Sequence, residues 1–182
     1  MRAVSAAAPD NVEHAIWLLA RADQHAALRQ RVEQLAPRHA GHLFEPHVTL
    51  QGDVPLDFAA ACRLVDGLAA ATPVLRWPVR AVESTEHYFR SLFLRLEGGA
   101  DFDRLVDTCA GASGTRDGAS PYAHLSLAYG PTQGDATALR QALSRDFAAQ
   151  VLVLDRVALC RASSAVAIPD WRLLYVQPLG GA

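Results

Sequence analysis

Residues 44–52 read FEPHVTLQG, and residues 122–130 read YAHLSLAYG. In each stretch a histidine is followed two places later by a hydroxyl residue and then by leucine: His47-Val48-Thr49-Leu50 and His124-Leu125-Ser126-Leu127. Side chains two apart on a strand share a face, while their neighbours point the other way. The alternation therefore predicts two strands that bury Val48, Leu50, Leu125 and Leu127 and project His47 with Thr49, and His124 with Ser126, from the opposite side.

The same order of elements surrounds both motifs. Ahead of the first, residues 14–20 (HAIWLLA) read as a strand. Asp23 stands as an N-cap before Leu28, Val32 and Leu35 at helical spacing, and Pro37 closes that helix. After the motif, Asp57 caps a second helix striped by Ala61, Leu64, Val65 and Leu68, and residues 74–83 return as a strand. Pro78 marks that strand as an edge or a bulge.

Residues 88–96 (YFRSLFLRL) then read as a strand again. Asp101 caps a helix striped by Phe102, Leu105, Val106 and Cys109, and a Gly- and Ser-rich loop over 111–120 leads into the second motif. Asp135 caps a helix carrying Leu139, Ala142, Leu143 and Phe147, and VLVLDRVALC from residue 151 forms a strand. Asp101 follows Asp23 by 78 residues, His124 follows His47 by 77, and Asp135 follows Asp57 by 78. The chain thus reads as an α+β fold made of two tandem β-α-β-α-β units, with one more strand at 171–177.

A pseudo-two-fold packing of the units brings two imidazoles and two hydroxyls to one central cleft. That set suits hydrolysis of a cyclic phosphodiester. A base deprotonates water on one side of phosphorus, and an acid protonates the departing ring oxygen on the other. Imidazole, with an unperturbed pKa near 6.5, serves in either role. The hydroxyls can donate to the non-bridging phosphate oxygens. This chemistry calls for no metal and no cofactor.

The rest of the chain sets bounds. Its 182 residues fit one bilobal domain spanning 1–182, and 51% hydrophobic with 20% charged residues is ordinary for a globular protein. A formal charge of −2 speaks against general affinity for nucleic acid, while leaving recognition of one local phosphate, including RNA ends, open. No apolar run reaches the roughly 18–20 residues that cross a bilayer. Residues 1–13 read as a frayed tail and not as a signal peptide. Cys62, Cys109 and Cys160 form no metal or disulfide pattern and read as small apolar residues, which points to a reducing, cytoplasmic location. The protein is expected to be a monomer with a small-molecule cyclic phosphate or nucleotide as partner.

The paired H-x-[T/S] motifs resemble those of the two-histidine (2H) phosphoesterase superfamily. The pieces Ile16-Trp17-Leu18, FEPHVTLQG, YFRSLFL at 88–94 and YAHLSLAYG resemble the plant- and yeast-type cyclic phosphodiesterases within it. The resemblance implies a bilobal LigT-like fold with antiparallel sheets facing a central cleft. It also implies activity on nucleoside 2′,3′-cyclic phosphates, opened to 2′-phosphates, and on ADP-ribose 1″,2″-cyclic phosphate. It assigns His47 and His124 as the catalytic pair, Thr49 and Ser126 as phosphate-binding hydroxyls, and Tyr129 as an aromatic residue near the substrate. Strand parity sets Tyr129 opposite Ser126 unless a bulge intervenes.

Two other functions compete: an enzyme acting on RNA ends or 2′-5′ linkages, as in the RNA-ligase-like branch, and a non-catalytic nucleotide-binding module. Trp17, Phe44, Tyr88 and Trp171 are candidates for stacking on a base or for the core. Arg90 and Arg172 are candidates for drawing in phosphate. The loop spacing of His39, His42 and His47 also permits a metal site, for which no Cys or carboxylate pattern completes the set.

Overall fold

The computed structural model describes residues 14–180, so the reading of residues 1–13 as a tail lies outside the described residues. The elements follow the repeat. The first unit runs β1 (His14–Ala20), α1 (Ala22–Leu35), β2 (Val48–Gln51), α2 (Phe58–Ala71) and β3 (Leu75–Glu83). The second runs β4 (Leu92–Leu96), α3 (Gly99–Ser113), β5 (His124–Ala128), α4 (Ala136–Asp146) and β6 (Val151–Arg161), and β7 (Arg172–Pro178) closes the chain.

All strand pairings among the described residues are antiparallel, in the order β2-β1-β6-β3-β4-β5, with β7 also paired to β6. Exchanging the labels of the two units turns this order into its own reverse, so the repeat is a pseudo-two-fold. The third strand of each unit is traded. β6 pairs with β1 in the first lobe and β3 with β4 in the second, and β3 and β6 meet at the centre. The helices are traded likewise: α1 packs near β5 and α3 near β2. Neither unit can therefore complete its lobe without the other.

Pro78 sits where β3 changes partner. Residues Leu75 to Pro78 face β6, and from Val79 onward the strand pairs with β4, with a register shift between Val79 and Ala81. This fits a residue that cannot donate to a ladder.

Alternation sorts the side chains as expected. Val48, Leu50, Leu125 and Leu127 are fully buried in one large apolar core with Ile16, Leu18 and the helix stripes. Each such side chain is worth about 1.5–3 kcal/mol of burial. The opposite face of β1 offers Ala15, Trp17 and Leu19 to a second, smaller cluster under the cleft.

Three local readings change. Asp57 and Asp135 cap α2 and α4 by accepting from the amides of Ala60 (2.7 Å) and Ala138 (2.9 Å). Asp23 and Asp101 do not cap. They lie inside the first turns of α1 and α3, whose caps are Arg21 and Gly98. A carboxylate there still faces the positive end of the helix dipole, and Asp23 is also paired with Arg21 at 2.7 Å, which draws its pKa down to about 2.

The third change bears on function. Of the strand expected at 88–96, only Leu92–Leu96 is a strand, and Tyr88–Arg90 form a 3₁₀ turn. The backbone oxygens there find other partners: Tyr88 O accepts from the Gly130 amide, Phe89 O from Ser126 Oγ, and Arg90 O from Thr85 Oγ1.

The loop before β5 ties the motif strands together. Gly52 N donates to Gly118 O at 2.8 Å, Ser120 N donates to Leu50 O, and the Gln51 amide reaches the carbonyls of Thr115 and Asp117. Gly118 has φ of +72°, and a Cβ there would lie 2.1 Å from Gly52 O, so no other residue fits the clasp.

Candidate active site

His47 and His124 arrive at the cleft by the same local device. His47 Nδ1 donates to the Glu45 carbonyl at 2.6 Å, and His124 Nδ1 donates to the Tyr122 carbonyl at 3.1 Å. In both cases the acceptor is the backbone oxygen two residues upstream. A carbonyl can only accept, so Nδ1 carries the proton and Nε2 is left with its lone pair.

A second shared device follows each hydroxyl. Trp17 pairs with Thr49 but Ile16 with Gln51, and Phe93 pairs with Ser126 but Leu92 with Ala128. One residue, Leu50 or Leu127, is thus extra on the motif strand, a β-bulge at equivalent positions. The second bulge settles Tyr129. Parity is reset after Leu127, and Tyr129 lines the same cavity as Ser126, not the opposite face.

That cavity has a volume of about 610 Å³, and His47, Thr49, His124, Ser126 and Tyr129 all line it. The two imidazoles are almost entirely covered, at 6% and 9% exposed. Burial pushes the pKa of His47 down to about 3 and that of His124 down to about 4 from the ordinary 6.5. The carbonyl bonds oppose this; at His47 the nearness of His124 adds to it, because the two rings would repel if both were charged, and at His124 the Arg90 and Arg95 guanidiniums add to it. Both rings are therefore neutral at pH 7 in the free protein. Burial also pushes the Tyr129 hydroxyl well above its ordinary value, so it is a phenol throughout the working range.

The surroundings of the two rings differ. His47 stacks on the Trp17 indole at 3.6 Å with 7° between planes, with Phe44 and Trp171 at its edges. His124 meets Phe93 and Tyr122 edge-on, and its Nδ1 also reaches Ser120 Oγ at 3.2 Å. Ser120 Oγ in turn donates to the Tyr122 carbonyl, so the hydroxyl braces both halves of that clamp. No pattern in the chain marks Ser120, because it lies in a Ser- and Gly-rich loop where one serine looks like another.

The remaining candidates separate. Trp17 is occupied beneath His47, and Phe44 beneath Tyr129 at 4.1 Å. Tyr88 turns to His42 at 2.8 Å, whereas Trp171 lines the cavity. Arg90 lines it too, with His87 and Phe89; Arg172 lies by a separate cavity of about 140 Å³ and pairs with Asp170. His39 bonds the Gly130 carbonyl, so His39, His42 and His47 face three different partners. Among the described residues no three His, Cys, Asp or Glu side chains gather as a metal site. Cys109 and Cys160 are buried, and burial pushes the Cys109 thiol up to about 12.

No family model and no curated protein matches the sequence. Solved structures do. TT0787 of Thermus thermophilus superposes with a TM-score of 0.58 over 92% of this chain and 98% of that one, at 17% identity. A crystal structure of a phosphoesterase gives 0.57 at 13% identity, over 94% and 99%. LigT of E. coli complexed with NADP+ gives 0.56 at 13% identity, over 93% and 99%, and LigT has also been solved with 3′-AMP, ATP and phosphate. At these identities the likeness is one of fold: the chain has the LigT-like architecture along nearly its whole length.

Proposed function

We propose that the protein belongs to the two-histidine phosphoesterases and hydrolyses cyclic phosphodiesters without a metal, with His47 and His124 as acid and base. The observation that carries this reading is the convergence of two neutral imidazoles, each clamped through Nδ1, with two hydroxyls in one cavity. The ligands of LigT, phosphate and nucleotides among them, are of the class that such a site would take.

The chemistry runs through the bare Nε2 atoms. One imidazole removes a proton from water as its oxygen bonds to phosphorus. The other, protonated, gives its proton to the ring oxygen as the opposite P–O bond breaks. The product is a phosphomonoester, and the pair ends with its proton moved from one ring to the other, to be reset through solvent. Because burial leaves both rings neutral in the free protein, the acid takes up its proton together with the anionic substrate, whose charge offsets that of the imidazolium. Thr49 and Ser126 would hold the non-bridging oxygens; the Ser126 proton, now given to Phe89 O, turns to the phosphate when it enters.

The substrates favoured are nucleoside 2′,3′-cyclic phosphates, opened to 2′-phosphates, and ADP-ribose 1″,2″-cyclic phosphate. Incubation of the four nucleoside 2′,3′-cyclic phosphates with protein and EDTA, followed by phosphorus NMR, tests this directly. Turnover to one monoester regioisomer is expected. Absence of turnover on these and on ADP-ribose 1″,2″-cyclic phosphate would sink the reading.

A further inference from the structure

The His47 half of the cleft lacks the hydroxyl that braces the other half. Ser120, four residues before His124, reaches both the His124 ring and the Tyr122 carbonyl. The residue four before His47 is Leu43, an exposed aliphatic side chain that can bond to neither. The His47 clamp is nonetheless the shorter of the two, at 2.6 Å against 3.1 Å. Its acceptor, the Glu45 carbonyl, is held by other means.

The Glu45 side chain is anchored to α1 through both of its oxygens. Oε2 lies 2.7 Å from His25 Nε2, and Oε1 lies 3.1 Å from an Arg29 guanidinium nitrogen. A carboxylate only accepts, so His25 Nε2 carries a proton. His25 and Arg29 stand four apart and project from one side of the helix, and Arg29 is steadied in turn by Glu33 at 3.5 Å. His25 Nδ1 is buried and has no partner among the described residues. A buried ring nitrogen left unpaired calls for a reason, and the bond made by the other nitrogen of the same ring supplies one.

The backbone at the clamp has need of such an anchor. Residues 41–47 have no regular secondary structure, so no ladder fixes the Glu45 carbonyl. Pro46 confines Glu45 to extended backbone, which sets the direction of the carbonyl but not its place. The second half solves the same problem with other chemistry: Tyr122, whose carbonyl clamps His124, has its ring under the Arg95 guanidinium at 3.5 Å from the centroid. Glu45 lines the small cavity behind Trp17 and Trp171 and not the main one, so it meets His47 through the backbone and does not meet the substrate.

We infer that Glu45 is a positioning residue: its carboxylate, anchored to His25 and Arg29, holds the carbonyl that keeps His47 protonated at Nδ1 and bare at Nε2. With the anchor cut, His47 gains the other tautomer, whose Nε2 already carries a proton and cannot take one from water. The consequence for turnover rests on the proposed function; the hold on the imidazole does not.

Nitrogen NMR of histidine-labelled protein at pH 7 reads the tautomer directly, because protonated and bare ring nitrogens resonate far apart. Wild type should show His47 protonated at Nδ1 alone, and the signals missing from His47→Gln identify that ring. Glu45→Ala should move both His47 nitrogens toward intermediate positions and leave those of His124 in place, which also shows that the variant is folded. Glu45→Gln should restore the wild-type pattern, since its oxygen accepts from Arg29 and its amide donates to His25 Nε2 once the His25 proton sits on Nδ1. On adenosine 2′,3′-cyclic phosphate, Glu45→Ala should lower kcat about 3- to 10-fold with KM unchanged, and Glu45→Gln should recover it. His47 signals unmoved by Glu45→Ala overturn the inference, as does equal disturbance of His124 or a Glu45→Gln variant no better than Glu45→Ala. If the tautomer shifts as expected but wild type opens no cyclic phosphate, the proposed function fails and the positioning role stands.

Discussion

The half of the cleft around His47 and the half around His124 share a backbone and differ in nearly everything that touches the rings. Both use a carbonyl two residues upstream to fix the tautomer, and both carry a bulge one residue after the hydroxyl. Yet His47 is sealed against Trp17 in an aromatic box, while His124 has a serine brace and two guanidiniums nearby. At the position equivalent to Tyr129, the first half has Gly52, which is spent on the clasp with Gly118. The common part is what proton transfer requires. The divergent part decides what is bound around it, and it makes the two halves unequal partners in recognition though equal in chemistry.

The sharpest way to break that equality is to delete each imidazole. His47→Ala and His124→Ala should each lower kcat on a nucleoside 2′,3′-cyclic phosphate by about 10² to 10⁴. A loss confined to one variant would mean that a single residue serves as both acid and base. Removing the hydroxyls should cost less, about 10² in kcat for Thr49→Ala or Ser126→Ala. Circular dichroism of Ser126→Ala would separate chemistry from the lost tether to Phe89 O.

Ser120→Ala probes what only the second half has. The Tyr122 carbonyl still fixes the His124 tautomer, so kcat should fall only about 2- to 10-fold with KM unchanged. A loss as large as that of His124→Ala would make the brace, and not the carbonyl, the true clamp.

A separate effect is on stability. Both folded-state values, about 3 and about 4, lie below the 6.5 of an exposed imidazole, so the unfolded chain binds more protons below pH 6.5. Stability present above pH 6.5 should be lost as the pH falls toward 4 and then 3, by up to about 1.4 kcal/mol per pH unit for each ring. Urea melts of wild type and His47→Gln at pH 7 and pH 5 should show a shallower fall in the variant. Parallel slopes would mean that His47 is not buried neutral.

Much of this was legible in the chain. The period-two alternation around His47 and His124, and the near-constant offset of 77 to 78 residues, were enough for the fold class and for the four motif residues that line the cavity. Tyr129 came from the resemblance; strand parity alone sets it opposite Ser126, and the bulge at Leu127 turns it to the cavity. Asp57 and Asp135 could be read as caps because capping is a local bond. Asp23 and Asp101 could not be told from caps, since an acid within the first turn of a helix satisfies the same electrostatics. The apolar, aromatic run at 88–96 reads as a strand throughout. Its first residues leave the ladder because Gly130, Ser126 and Thr85, distant or on other segments, take their carbonyls.

The sequence by itself determined which residue types would meet and that they would meet in pairs, because side-chain direction on a strand follows from the backbone alone. Only the tertiary structure decided how they would meet. It traded β3 and β6 between the lobes, set Trp17 beneath one imidazole and Ser120 against the other, and brought Arg90 into the cavity lining. Each of these contacts joins segments, or turns a loop, through bonds that no local pattern encodes. The depressed pKa values belong to the same category, because desolvation is a property of everything packed around a group and not of the group itself.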